Sequence, residues 1–229
     1  MKKQLMLLTL VLTATVASAQ GQFFSTKEMV HEFRYGVRGG MTVNTMNFSG
    51  DYQLGGTRVA FRVGGVVEMP WYESLSFQAG LFYTSKGFRY SDELNTTFYS
   101  FTESERADPY FLEITPQVSY RWCINPKWRL QIDAGPFFAV GLHGKWRHQY
   151  ADANETVNTC TNVFSKGGLK RFDAGLAVGV GATYGNYYFG INYDWGWVNL
   201  SRDHRNYRDT KAPVEARSRS FSVNVGYNF

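Results

Sequence analysis

The sequence predicts an all-β fold, a transmembrane up-and-down antiparallel barrel of about eight strands. Three observations carry it. Beyond Phe33 the chain alternates with period two in segments near the 9–11 residues a tilted strand needs to cross a bilayer. Each segment sets apolar side chains on one parity and glycine or polar side chains on the other. Connections alternate between short and long, and aromatics gather at the segment ends, as rings that prefer the headgroup level do.

Taken in order, the first strand runs from Phe33 to Asn44, with Phe33, Tyr35, Val37, Met41 and Val43 opposed to Arg34, Gly36, Arg38, Gly40 and Thr42. The second covers Arg58 to Met69 and puts Arg58, Arg62, Gly64 and Glu68 on its polar face. The third covers Leu75 to Phe88, with Ser76, Gln78, Gly80 and Thr84. The fourth, Tyr110 to Trp122, alternates Leu112, Ile114, Val118 and Tyr120 with Glu113, Thr115, Gln117, Ser119 and Arg121. The fifth, Trp128 to Leu142, carries Arg129, Gln131, Asp133, Gly135 and Gly141 on its polar parity. The sixth, Phe172 to Tyr184, opposes Leu176, Val178 and Val180 to Asp173, Gly175, Gly179 and Gly181. The seventh, Tyr187 to Asn199, opposes Phe189, Ile191, Tyr193 and Trp195 to Gly190, Asn192, Asp194 and Gly196. The eighth, Ser218 to Phe229, ends on Tyr227-Asn228-Phe229.

Short links fall at Pro70–Ser74, Cys123–Lys127 and Gly185–Asn186, and long ones at Thr45–Thr57, Tyr90–Pro109, Gly144–Arg171 and Leu200–Arg217. This predicts periplasmic turns and outer loops. Hairpins rising above the membrane from the long loops would make the count ten. One aromatic rim is expected from Trp71, Tyr72, Trp122, Trp128, Tyr187, Tyr188, Tyr227 and Phe229. The other is expected from Tyr90, Trp146 and Trp197.

The N-terminus reads as a secretory signal. Lys2 and Lys3 precede an apolar run from Leu5 to Val16, and Ala17-Ser18-Ala19 is a small-residue cleavage site before Gln20. The expected organisation is a signal peptide over 1–19, a short periplasmic segment over 20–32 that holds the brief helical pattern Ser25 to His31, and a barrel over 33–229. Removing two lysines and no acid takes the formal charge from +5 to +3. The basic residues are dispersed, which argues against a nucleic-acid partner.

Parity turns Arg34, Arg38, Arg58 and Arg62 into the lumen from strands one and two, and Glu113, Asp133, Asp173 and Asp194 from strands four to seven. An eight-stranded barrel is just wide enough to be filled by side chains. The expectation is a lumen charge network sealed by cross-lumen ion pairs, with Arg38, Arg62, Glu113 and Asp194 at its centre. The sharper alternative is a narrow anion-preferring pore.

Pro116 and Pro136 remove ladder bonds inside the membrane zone, and each is expected to mark a bulge. Cys123 and Cys160 fall at opposite ends of the barrel, too far apart to bridge. His143, His148, Asp152, Ser201, Asp203 and His204 are the candidates for a lipid-modifying catalyst, but no spacing holds them within proton-transfer reach. No catalytic, cofactor or metal-ligand pattern emerges.

Leu112-Glu113-Ile114-Thr115-Pro116 with Tyr120-Arg121-Trp122, Ala134-Gly135-Pro136-Phe137, and Asp173-Ala174-Gly175-Leu176 through Gly179-Val180-Gly181 with Tyr193 and Gly196 resemble the PorT-like outer membrane protein β-barrel family of Bacteroidetes-type bacteria. In that family the proline usually follows the Glu-Ile pair directly, whereas here Thr115 intervenes. The resemblance implies a barrel in the outer membrane of a Gram-negative envelope and, for a few relatives, a tie to protein secretion. The terminal Tyr227-Asn228-Phe229 resembles the sorting signal read by the barrel-assembly machinery. The expected function is a structural or interaction component of the envelope, not an enzyme. Its expected partners are outer-membrane lipid, the barrel-assembly machinery and an extracellular or periplasmic protein.

Overall fold

The structure, a computed structural model, describes residues 33–48, 56–72, 74–95, 100–152, 156–165, 168–201 and 215–229. The expected signal segment with Ala19 and Gln20, and the helical pattern expected before the first strand, lie outside them.

The strands are β1 (Arg34–Phe48), β2 (Arg58–Tyr72), β3 (Leu75–Ser85), β4 (Phe88–Asn95), β5 (Ser100–Cys123), β6 (Trp128–Asp152), β7 (Thr156–Asn162), β8 (Phe172–Tyr184), β9 (Tyr187–Gly196) and β10 (Ala216–Asn228). Eight of them, β1-β2-β3-β5-β6-β8-β9-β10, close an antiparallel ring in which β1 pairs with both β2 and β10. Closure leaves no ring strand with an unpaired edge, a necessity where lipid offers no hydrogen-bond partner. Side chains on the polar parity point into the lumen. The apolar parity faces outward, as Met41, Val59, Leu81, Val180, Ile191 and Val225 do.

The two remaining strands lie above the ring. β5 and β6 are 24 and 25 residues long, more than twice what a bilayer crossing requires. Their outer halves rise as a ribbon, with β4 paired to β5 and β7 paired to β6. Two segments predicted as loops, Tyr90–Pro109 and Gly144–Arg171, are therefore largely strand: a paired neighbour extends the ladder through polar residues that carry no apolar face. The short turns, and the end of the chain, gather at the opposite end. In bacterial barrels that end is periplasmic and the long connections are outside.

A single bulge interrupts the long β5–β6 ladder and reverses the faces of its outer half. Tyr110 pairs with His143 but Phe111 pairs with Gly141, so Leu142 is an extra residue in β6. Inserting one residue exchanges the two faces of a strand. Below the bulge Phe137 and Ala139 point inward. Above it Trp146 and His148 do, and Lys145, Arg147 and Gln149 face out.

The bulges expected at the prolines are corrected. Ile114↔Phe138 and Val118↔Ala134 share one register, so Pro116 stands opposite Pro136 with no residue inserted. Neither has an N–H to give, and the β5–β6 ladder lapses over this short stretch instead.

The rims also differ from expectation. Tyr35, Phe229, Tyr227 and Tyr187 form a chain of ring contacts at the turn end, joined there by the Trp128–Tyr184 and Tyr120–Trp122 pairs. The Phe229 N–H donates to the Tyr35 carbonyl at 2.9 Å, which ties the last residue to the first strand. Tyr188, expected at this rim, is buried in the lumen, because its parity is that of Gly190 and Asn192. Trp146, expected at the outer rim, points inward beyond the bulge and meets Phe88 edge-on. The outward rings at that level are Phe61, Tyr83 and Tyr110, with His143 stacked on Tyr110. Trp197 is exposed, and the Tyr90 side chain lies outside the described set.

The β8–β9 hairpin turns at Gly185-Asn186, where Gly185 has φ +58°. A Cβ in this left-handed region costs about 1–2 kcal/mol. Gly185→Ala is expected to lower stability by that amount in a chemical-denaturation titration, with the refolded barrel otherwise unchanged.

Candidate functional site

The lumen is filled in tiers, built from strand parity and cross-strand register. Nearest the hairpin end is an apolar cap. Phe111, Phe137, Ala139 and Ala177 point up from the barrel, and Met46 and Phe88 from its rim. Val163, Phe164, Leu169 and Leu200 fold over them from the connections after β7 and β9. Backbone bonds hold this lid: Val163 N–H to Gly144 O, Leu169 N–H to Val163 O, and Leu200 N–H to Ala216 O. The Arg171 guanidinium donates to the Gly141 and Leu142 carbonyls across the bulge. Nothing in the strand pattern predicts the cap. Its one signal is a scatter of apolar residues in loops otherwise rich in Asn, Ser and charge.

Beneath the cap lies the charged centre. Arg62 bonds Glu113 at 2.9 Å and Asp194 at 3.1 Å, joining β2 to β5 and β9 across the lumen. Lys86 reaches Glu113 at 2.5 Å and Asp173 at 3.6 Å, its ammonium 3.9 Å from the centre of the Phe137 ring. The Ser218 hydroxyl donates to Asp173 at 2.6 Å. Glu113 and Asp173 are 0% exposed and Lys86 2%. Lys86 is absent from the network expected from sequence, although the parity of Ser76, Gln78 and Thr84 runs on to it.

Arg38 is not in this centre, which corrects its expected place beside Arg62. Register decides it: Gly40 is opposite Arg62, and Arg38 is opposite Gly64, one tier nearer the turns. There its guanidinium lies 3.7 Å from the Tyr188 ring centre and donates to Gln78 at 2.8 Å. Tyr188 itself lies over Gly181 and Gly190, where any Cβ would strike its ring.

The remaining predicted residues lie apart. Asp133 accepts from Ser119 at 2.5 Å and from Gln131 at 2.8 Å, close to an Arg121–Glu68 ion pair that joins β5 to β2. Arg34 lines the turn-end mouth with Arg129, Asn186, Asn228 and Phe229, around a hollow of about 240 Å3. Arg58 sits at the hairpin-end rim and bonds Asp108 at 2.8 Å, a partner that strand parity alone does not supply. Among the described residues Arg62 joins the basic wall to the acidic one, with Lys86 completing the centre.

The catalytic candidates are not brought together. His143 points outward, its Nε2 3.0 Å from the Tyr83 hydroxyl, whereas His148, beyond the bulge, is turned to the other face. Asp203 and His204 lie outside the described residues, as does the Asp152 side chain. Among the described residues no group of His, Cys, Asp and Glu is placed to hold a metal ion. Cys123 ends β5 at the turns and Cys160 lies on β7 of the hairpin ribbon; both thiols are free.

The family described as outer membrane protein beta-barrel domain matches residues 18–202. The chain belongs to this family. Its location is the outer membrane, and its apolar wall is the surface that lipid covers. Among solved structures it is similar to Ail, the attachment invasion locus protein of Yersinia pestis, at 13% identity over 86% of this chain and 99% of that one, with TM-score 0.37. It is similar to OprG from Pseudomonas aeruginosa at 13% identity over 88% and 98%, with TM-score 0.46. It is also similar to Neisserial surface protein A at 14% identity over 85% and 97%, with TM-score 0.36. No curated protein matches the chain.

Proposed function

We propose that this outer-membrane barrel is closed to solutes and works as a structural or interaction component of the envelope, through its exterior hairpins and its turn-side rim. The observation that carries this is the buried pairing of Arg62 and Lys86 with Glu113, Asp173 and Asp194 under an apolar cap. A conducting lumen needs weakly held, hydrated charges. Here the cations are held by carboxylates and by the ring faces of Phe82 and Phe137.

The reading is non-enzymatic, supported by the divergent directions of His143 and His148. The Leu112–Pro116, Ala134–Phe137 and Asp173–Gly181 segments support reading the chain as a PorT-like member of its family. A secretion-associated role would then run through the rims and not through the lumen. Phe229, tied to Tyr35, is the residue presented to the barrel-assembly machinery.

Planar-bilayer recording of the refolded mature barrel tests the proposal. Folded protein, verified by heat-modifiable gel mobility, is expected to give no steps. Steady anion-preferring steps that are lost in Arg62→Ala would overturn the closed reading and establish the small-pore alternative.

A further inference from the structure

Three arginines stand side by side on the outward face of the hairpin ribbon. Arg89 on β4 is directly opposite Arg106 on β5, and Arg106 is directly opposite Arg147 on β6. Like charges in directly opposed positions destabilise a sheet. Arg106 bonds Asp108 at 3.0 Å, but Asp108 is shared with Arg58. No described acid pairs with Arg89 or Arg147. With Ser104 and Gln149 the three guanidinium groups line a hollow of about 190 Å3, and among the described residues its walls carry a hydroxyl, an amide and no carboxylate.

The row exists because of the Leu142 bulge. Were Leu142 paired in register instead of bulged, Arg147 would share the inward parity of Phe137 and Ala139, and Arg89 and Arg106 would face out without it.

Its height is set by the rings below it. Phe61, Tyr83, Tyr110 and His143 face outward at the top of the apolar wall, the position of a headgroup-level girdle. Arg106 lies four residues beyond Tyr110 on the same strand, about 13 Å along it. With a strand tilt of about 40° the row stands roughly 10 Å above the girdle. At that height an outward-facing site meets the polar heads of the surrounding leaflet before it meets bulk solution. Planar guanidinium groups bind phosphate oxygens in pairs.

We propose that Arg89, Arg106 and Arg147 form a binding site for the phosphate groups of an anionic lipid in the outer leaflet. This gives the exterior hairpins of the proposed function a lipid ligand. It depends on those hairpins facing outward and is independent of whether the lumen conducts.

The test uses the mature barrel refolded into phosphatidylcholine bilayers, with and without diphosphorylated lipid A, and its thermal midpoint read by heat-modifiable mobility. Lipid A is expected to raise the wild-type midpoint by several degrees, and added salt to shrink that gain. The variant R89Q/R106Q/R147Q is expected to lose the gain while matching or exceeding wild type in pure phosphatidylcholine, since its like-charge row is gone. R89K/R106K/R147K keeps part of the gain. Should the triple glutamine variant refold poorly, R89Q and R147Q alone are each expected to lose a fraction of it. A lipid A gain that survives in the glutamine variants overturns the site. An equal gain from soluble inositol hexakisphosphate over neutral bilayers overturns the lipid assignment in favour of a free polyanion. Conductance of the lumen would overturn the closed-barrel reading and leave this site in place.

Discussion

Lys86→Met is expected to destabilise the folded barrel by about 3–5 kcal/mol, the usual cost of removing one partner from a buried ion pair. Methionine keeps most of the stem and the contact with Phe137, so the loss isolates the charge. Without the ammonium, Glu113 retains Arg62 and Asp173 retains the Ser218 hydroxyl, and Arg62 alone faces three buried carboxylates. Almost no solvent reaches this tier to screen them. The double variant Lys86→Met/Glu113→Gln is expected to recover part of the loss, because it removes one charge of each sign. By contrast Arg106→Ala, at a pair whose arginine side chain is 43% exposed, is expected to cost less than about 1 kcal/mol. Equilibrium denaturant titration in bilayers, read by tryptophan fluorescence and gel mobility, gives all three values. If Lys86→Met stays within about 0.5 kcal/mol of wild type, the charged centre does not hold the core together.

Period two makes the wall legible. Most lipid-facing positions are apolar and most lumen-facing ones polar or small, so residues such as Ile191 and Asn192 announce their faces without reference to any other strand. The same parity turns Arg62, Glu113, Asp173 and Asp194 inward from sequence alone. What parity within a strand leaves open is height, which depends on register between strands. That is why Arg38 is expected beside Arg62 and lies a tier below it. The Leu142 bulge is also hidden, because an inserted residue of ordinary apolar type leaves no mark in the alternation. Without it Trp146 falls on the wrong side of the wall and the alignment of Arg147 with Arg106 is concealed. The prolines do leave a mark, but it points elsewhere: each suggests a bulge, whereas they face each other and the ladder simply lapses. The cap is illegible for a third reason. Val163, Phe164, Leu169 and Leu200 acquire meaning only when distant connections fold over one mouth.

The lipid-facing reading of the wall makes the second large prediction. Ile191 lies near the middle of β9, paired with Val180 on one side and Val223 on the other, all three outward and apolar. Ile191→Arg is expected to cost about 2–4 kcal/mol of folding free energy in a bilayer, the penalty for a guanidinium near the hydrocarbon midplane of a barrel. Val157→Arg is the control. Val157 is also exposed and lies on a strand, but on β7 of the hairpin ribbon, above the membrane. Its cost is expected to stay within about 0.5 kcal/mol, as for an ordinary surface change. The two substitutions add the same side chain to the same kind of backbone, so the difference between them measures the surrounding medium. A water-soluble barrel with an apolar exterior would show the opposite order, since a charge on that face would relieve an exposed patch. Equal costs at Ile191 and Val157 would therefore remove Ile191 from the hydrocarbon zone. A cost at Ile191 that falls as bilayers are made thinner would instead locate it by depth, because the charge then lies closer to the headgroups and to water.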